Sequence, residues 1–148
     1  MKNISKNLQM FNQVYKETNV IYHDYAAKNG ISDTAFWIMY SVYYYGEGIT
    51  QKNICEEWFY SAQTVNSSLK TMEKNGLIIL EPSKDNKKEK QIHFTKEGQL
   101  LAEKIIKPVI EAEKQSFEQL DNREIEAMFE ITHKHMKKLE SLIESIKN

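Results

Sequence analysis

Gln63, Thr64, Asn66, Ser67 and Lys70 alternate with Val65, Leu69 and Met72. The three apolar residues are spaced four and three apart, the period of one helix face, so the five polar residues share the opposite face. That face offers two carboxamides, two hydroxyls and one ammonium. A carboxamide donates and accepts at once, so Gln63 and Asn66 can each pair with a flat edge presenting a donor beside an acceptor. A solvated helix face has the same composition. A second cluster, Lys84, Lys87, Lys88 and Lys90, surrounds Asp85 and Glu89. Such lysines attract a polyanion in a salt-dependent way, and they also guard a hairpin edge against aggregation. A third set is aromatic: Tyr22, Tyr25, Trp37, Tyr40 and Tyr44. These rings can wall a pocket and offer hydroxyl handles to a ligand, although helical spacing suits core and interface packing equally.

Other chemistries are thinly represented. A single cysteine, Cys55, excludes a disulfide framework and a Cys-rich zinc site. It precedes Glu56 and Glu57, which raise the pKa of a neighbouring thiol, and it reads as a small buried residue, not a redox sensor. His133 and His135 are two apart on a helix and project to nearly opposite sides. His23-Asp24 and His93 read as isolated, so neither a metal nor another cofactor is expected. There is no glycine-rich phosphate loop, nucleophile elbow or His-Glu-x-x-His pattern, so the chain does not read as an enzyme.

The elements that must carry these residues are mostly helical. Ile4, Leu8, Phe11, Tyr15, Tyr22 and Tyr25 predict a helix over 4–28, closed by Asn29-Gly30. Ser32 caps a second helix over 33–45, stopped by Gly46-Glu47-Gly48. Thr50 caps a short helix over 51–58, and Ser61 caps the helix that bears the polar face. Gly76 and Leu77 close that helix, and a strand over 78–80 ends at Pro82. Residues 83–90 form a lysine-rich loop, and 91–94 alternate as a returning strand. Thr95 caps a long helix to about residue 120 that Pro108 should kink. Asp121 and Glu124 start a last helix whose stripe is Ile125, Met128, Met136, Leu139, Leu142, Ile143 and Ile146.

Composition fits one globular domain with an appended element. The chain has 148 residues, 41% hydrophobic and 28% charged, with a net charge of −1. The balance is uneven: residues 61–98 carry net +2 between two acidic ends. No apolar run approaches the roughly 20 residues of a membrane span. The opening Met1-Lys2-Asn3-Ile4-Ser5-Lys6 leads into a segment too polar for a signal-peptide core, so a cytoplasmic protein without membrane partners is expected.

Two helices joined by a tight turn and followed by a two-stranded hairpin describe a winged helix-turn-helix. The stretch Thr50-Gln51-Lys52-Asn53-Ile54-Cys55, then Gln63-Thr64-Val65-Asn66-Ser67-Ser68-Leu69-Lys70, the exit Met72-Glu73-Lys74-Asn75-Gly76-Leu77-Ile78, and Asp85 through Phe94-Thr95-Lys96-Glu97-Gly98 resemble the MarR family of bacterial transcriptional regulators. The resemblance runs along nearly the whole chain. It departs at Lys87, where the family's wing carries an arginine, at Asn66 and Ser67, where an arginine is frequent, and at Cys55, where a smaller residue is usual. Arginine is the main bidentate partner of guanine, so these changes weaken guanine reading.

The resemblance implies a mainly α fold with a small β-hairpin wing, helical dimerisation regions at 1–30 and 100–148, and a DNA-binding domain at 31–99. It implies that Ser61, Gln63, Thr64, Asn66, Ser67 and Lys70 meet double-stranded DNA, with Lys84, Lys87, Lys88 and Lys90 beside them on the wing. It gives Asp85 the part of bracing Lys87. It also implies a small aromatic or phenolic effector, for which Tyr22, Tyr25, Trp37, Tyr40 and Tyr44 are the candidate residues. The expected function is a homodimeric, sequence-specific regulator, a repressor by family habit, acting on a pseudo-palindromic operator. The alternatives are a helical dimerising interaction protein without DNA binding, for which 50–98 would have no use, and a small enzyme.

Overall fold

A computed structural model describes residues 4–83 and 86–146. The chain forms two compact units, Met1–Pro108 and Val109–Asn148. The first contains α1 (Ile4–Lys28), α2 (Asp33–Tyr45), α3 (Gln51–Trp58), α4 (Ala62–Lys74), β1 (Ile78–Pro82), β2 (Lys90–Phe94) and α5 (Lys96–Ile105). Beyond it run α6 (Lys107–Glu118), which starts at the boundary, and α7 (Asn122–Ile146). The mainly helical fold with a two-stranded wing is as expected.

Side-chain oxygens of Ser32, Thr50, Ser61 and Thr95 accept from the backbone amides of Ala35, Asn53, Thr64 and Gly98, so each helix start in the winged module satisfies a donor that would otherwise lack a partner. α1 and α4 end alike. Gly30 and Gly76 take left-handed φ values of 72° and 70°. The amides of the next residues, Ile31 and Leu77, donate back to Ala26 and Met72 at 3.1 and 3.0 Å. Leu77 therefore turns sharply into β1, which pairs antiparallel with β2 from Ile78 opposite Phe94 to Pro82 opposite Lys90. The segment before α3 adds to the sheet, with Gly48 N–H donating to Ile92 and Ile92 N–H to Ile49.

The core sits around α2, whose Phe36, Ile38, Met39 and Val42 are fully enclosed. Ile54 from α3, Val65, Leu69 and Met72 from α4, and Ile78 and Ile92 from the wing meet the same core. Each such side chain contributes roughly 1.5–3 kcal/mol by leaving water. Gly98 is required where α5 crosses the end of α4, because a Cβ there would fall on the carbonyl of Leu77.

Two boundaries differ from expectation. The long helix after Thr95 is two helices broken at Ile106. Pro108 has no N–H to return to the carbonyl of Lys104, so the helical bonding is interrupted there, although Ile106 keeps helical backbone angles and its N–H still donates to Ala102. Pro82 lies inside β1, not beyond it, because a strand with one neighbour tolerates a missing donor at its end.

The second unit begins its last helix with Asp121 and Glu124 capping each other's backbone amides at 2.8 and 2.9 Å, as the sequence suggests. Phe117 and Phe129 stack at 6.2 Å. No residue of α7 is buried. Among the described residues, no helix is long and apolar enough to cross a membrane.

Candidate nucleic-acid interface

The site begins with the helix-turn-helix itself. The Gln51 side chain donates to the carbonyl of Ala62 at 2.9 Å, tying the start of α3 to the start of α4. Trp58 at the end of α3 donates from Nε1 to Ser41 Oγ at 2.7 Å, the partner of that buried hydroxyl on α2. α4 is thus held at its start by Gln51 and along its length by the inward-turned Val65, Leu69 and Met72.

The opposite face of α4 is open. Ser61, Gln63, Thr64, Asn66, Ser67 and Lys70 are all exposed. Ser61 and Thr64 satisfy each other through their hydroxyls at 2.8 Å, in addition to the cap. The carboxamides of Gln63 and Asn66 have no hydrogen-bond partner among the described residues, and Lys70 has no ion pair there. These groups keep full capacity for an external partner.

Four of the five helix residues divide between two clefts, and Gln63 lines neither. Asn66 and Lys70 line a groove of about 520 Å³ between α3, α4 and the wing, and Lys88 and Lys90 line its far side. Thr64 and Ser67 line a second cleft of about 410 Å³ against the start of α2, beside Ser32 and Thr34. Lys87, Lys88 and Lys90 are exposed and without ion pairs among the described residues. Residues 86–89 of the tip are tied together by hydrogen bonds. The side chain of Asn86 accepts from Lys88 N–H at 3.1 Å and donates to Glu89 at 3.2 Å, while Glu89 N–H donates to Asn86. Lys84 and Asp85 lie outside the described residues, and with them the bracing of Lys87 by Asp85.

The aromatic candidates form one continuous ladder. Tyr22 meets Trp37 at 4.8 Å, Trp37 meets Tyr40 at 5.5 Å, and Tyr40 stacks on Tyr44 at 5.8 Å. Tyr25 touches Phe36 at 6.2 Å and donates its hydroxyl to the carbonyl of Ile105 at 2.9 Å. Trp58, absent from the sequence-derived set, stacks on Trp37 at 4.1 Å. Its signal in the sequence was only an apolar position at the end of a short helix. Next along, Tyr45 donates to Glu57. That carboxylate holds the phenolic proton and pushes the Tyr45 pKa up to about 12.

Three sequence readings change. Cys55 is half-buried and lines the groove beside the wing, because α3 buries only Ile54. Burial first and Glu56 second push its thiol pKa up; Glu57 is turned toward Tyr45. The two histidines read as isolated have partners on other elements. His23 Nδ1 lies 3.0 Å from both carboxylate oxygens of Asp33. That hydrogen bond, then the charge of Asp33, raises its pKa above 6.5. His93 sits between Glu47 at 3.2 Å and Glu81 at 3.9 Å, joining the turn before α3 to both wing strands.

A capped, exposed α4 locked to α3 and followed by a lysine-bearing hairpin defines a winged helix-turn-helix. Residues 29–89 match the model of the MarR family. A MarR family regulator from Neisseria meningitidis superposes with a TM-score of 0.75 at 19% identity, covering 98% of this chain and 99% of that one. MepR of S. aureus in its DNA-binding conformation gives 0.74 at 22% identity, covering 90% and 98%. The MepR–DNA complex gives 0.73 at 22%, covering 93% and 99%. No curated protein matches the chain. The segment 29–89 is thus similar to the MarR family, and over nearly its full length the chain shares the fold of these regulators.

Proposed function

We propose that the chain is a homodimeric, cytoplasmic transcriptional regulator that binds double-stranded DNA through α4 and the wing. The observation that carries this reading is the face of α4: two exposed carboxamides without partners among the described residues, with Lys88 and Lys90, also without ion pairs among them, across the groove that Asn66 lines. Amides match the N6/N7 edge of adenine, and ammonium groups match phosphates. No arginine occurs in residues 61–98, which points to an A·T-rich operator read by amides and by groove shape. S. aureus MepR, which shares the fold, has been solved on DNA.

Dimerisation is supported by apolar faces that the single chain leaves open. On α1, Ile4, Leu8, Val14 and Tyr15 are exposed, and on α7 so are Met136, Leu139, Leu142 and Ile143. Exposed apolar surface of this extent marks an association surface. The dimerisation region is assigned to 1–30 and 100–148 and the DNA-binding domain to 31–99. Two α4 helices then enter successive major grooves, so the operator is a pseudo-palindrome. A repressor role, with release by a small aromatic or phenolic effector at the ladder of Tyr22, Tyr25, Trp37, Tyr40 and Tyr44, completes the reading. Such an effector acts only through different affinities for the DNA-competent and incompetent forms.

The test is enrichment of duplexes from a randomised pool by the purified protein. A recovered A·T-rich inverted repeat is the expected result. Retention that is independent of sequence and of salt would refute the assignment.

A further inference from the structure

Among the described residues, Phe59 is the only non-glycine with a positive φ, at 54° with ψ 31°. At the ends of α1 and α4 the chain places glycine in this left-handed region, yet at the end of α3 it places a phenylalanine. A Cβ is disfavoured there. The ring is also 93% exposed. Both neighbours are held. Trp58 stacks on Trp37 and bonds Ser41, and Tyr60 is half-buried with its hydroxyl on Thr34. The turn thus fixes Trp58 and Tyr60 against the domain and sends the ring between them into solvent. A strained residue that also exposes a large apolar ring is a position where folding alone would favour glycine or asparagine.

Its place says what the ring meets. Phe59 precedes the Ser61 cap by two residues, so at most about 8 Å of chain separates it from the start of α4. Recognition helices present their N-terminal residues to base edges. Residues 58–69 contain no charged side chain, so this end of the motif has no ammonium to offer a phosphate. The apolar group that the major groove displays is the thymine C5-methyl, and phenylalanine is a residue that contacts it. We infer that Phe59 is a specificity-determining residue that packs on a thymine methyl at the edge of each half-site. The inference rests on the DNA-binding reading above and adds a base contact from outside α4.

The experiment uses the duplex enriched by the wild-type protein, with each thymine replaced in turn by uracil, which lacks only the methyl. Wild type should lose about fourfold in affinity at one or two positions per half-site, the factor for one buried carbon group. Phe59→Gly and Phe59→Asn should bind the thymine duplex more weakly and show no further loss with uracil at those positions. Both variants suit the left-handed turn, and a Tm no lower than wild type will show that the fold is intact. Equal binding by the variants and wild type would overturn the inference, as would an unchanged uracil penalty in the variants. It would fall too if uracil had no effect on wild type, a result that leaves DNA binding standing. If wild type binds no duplex, the DNA-binding reading falls first and this inference with it.

Discussion

α4 and α7 are both amphipathic, but they use opposite faces. α4 buries Val65, Leu69 and Met72 completely and leaves its amides and hydroxyls free. α7 buries nothing and leaves Met128, Met136, Leu139, Leu142 and Ile143 open along 25 residues. On α4 the apolar positions are fully used by the domain core, so any external role belongs to its polar face. On α7 the apolar stripe is left open, and that exposure is what supports the proposed association. Hydrophobic periodicity alone does not separate the two cases. The separation comes from what the rest of the chain supplies to cover each stripe.

Leu69 gives the sharpest way to break this comparison. Leu69→Ala should lower unfolding free energy by about 2–5 kcal/mol in urea titration, through reduced burial and a residual cavity. A drop below about 1 kcal/mol would mean that α4 is not anchored as described. Leu139→Gln with Leu142→Gln should leave the wing and the core intact while weakening self-association. Sedimentation should then show monomer at concentrations where wild type is dimeric, and the concentration dependence of Tm should diminish. An unchanged sedimentation profile would remove α7 from the interface.

The polar face is tested next. Gln63→Ala and Asn66→Ala should each cost roughly 1–3 kcal/mol of discrimination between the enriched duplex and a scrambled one, with little change in nonspecific affinity. Lys87→Ala and Lys88→Ala should do the reverse, weakening all duplexes alike and flattening the salt dependence by about 0.9 for each phosphate no longer neutralised. If the amide variants lose both affinities equally, α4 is a backbone platform and the sequence preference lies in the wing or in DNA deformability. If the salt slope is unchanged in the lysine variants, those side chains serve solubility.

Local rules carried much of this architecture. Ser61, the 65/69/72 spacing and Gly76 mark α4 from cap to exit, and each depends only on neighbours in the chain. The same holds for the Asp121–Glu124 start of α7. Long-range pairs were not legible. Trp58 stacks on Trp37 across 21 positions, and His93 reaches Glu47 across 46, so no periodicity announces either pair. Pro108 was visible, but whether a proline bends or ends a helix depends on what packs around the break. Phe59 stands in plain view within Trp58-Phe59-Tyr60, yet only the backbone conformation shows which of the three rings faces outward.

The smallest expected effect sharpens the comparison at α1. Like α7, α1 leaves most of its apolar positions exposed, and only Ala26 is buried. Yet it is tied to the winged module by the Tyr25 hydroxyl and by His23 against Asp33. Asp33 lies in the first turn of α2, where a carboxylate already favours the helix, and a protonated His23 adds an ion pair to it. Because the His23 pKa is raised in the folded state, its contribution is fully present below the unfolded value near 6.5 and is lost as pH rises through the folded value above it. The Tm difference between wild type and His23→Gln should therefore be largest in mildly acidic buffer and fade above neutrality. Both side chains are substantially exposed, 62% and 48%, so solvent and salt screen the pair. About 1 M salt should shrink the acidic-side difference further, since the screening length falls to roughly 3 Å. A difference that is flat with pH would show that His23 and Asp33 do not pair in solution. α1 would then be held to the module by the Tyr22 and Tyr25 contacts.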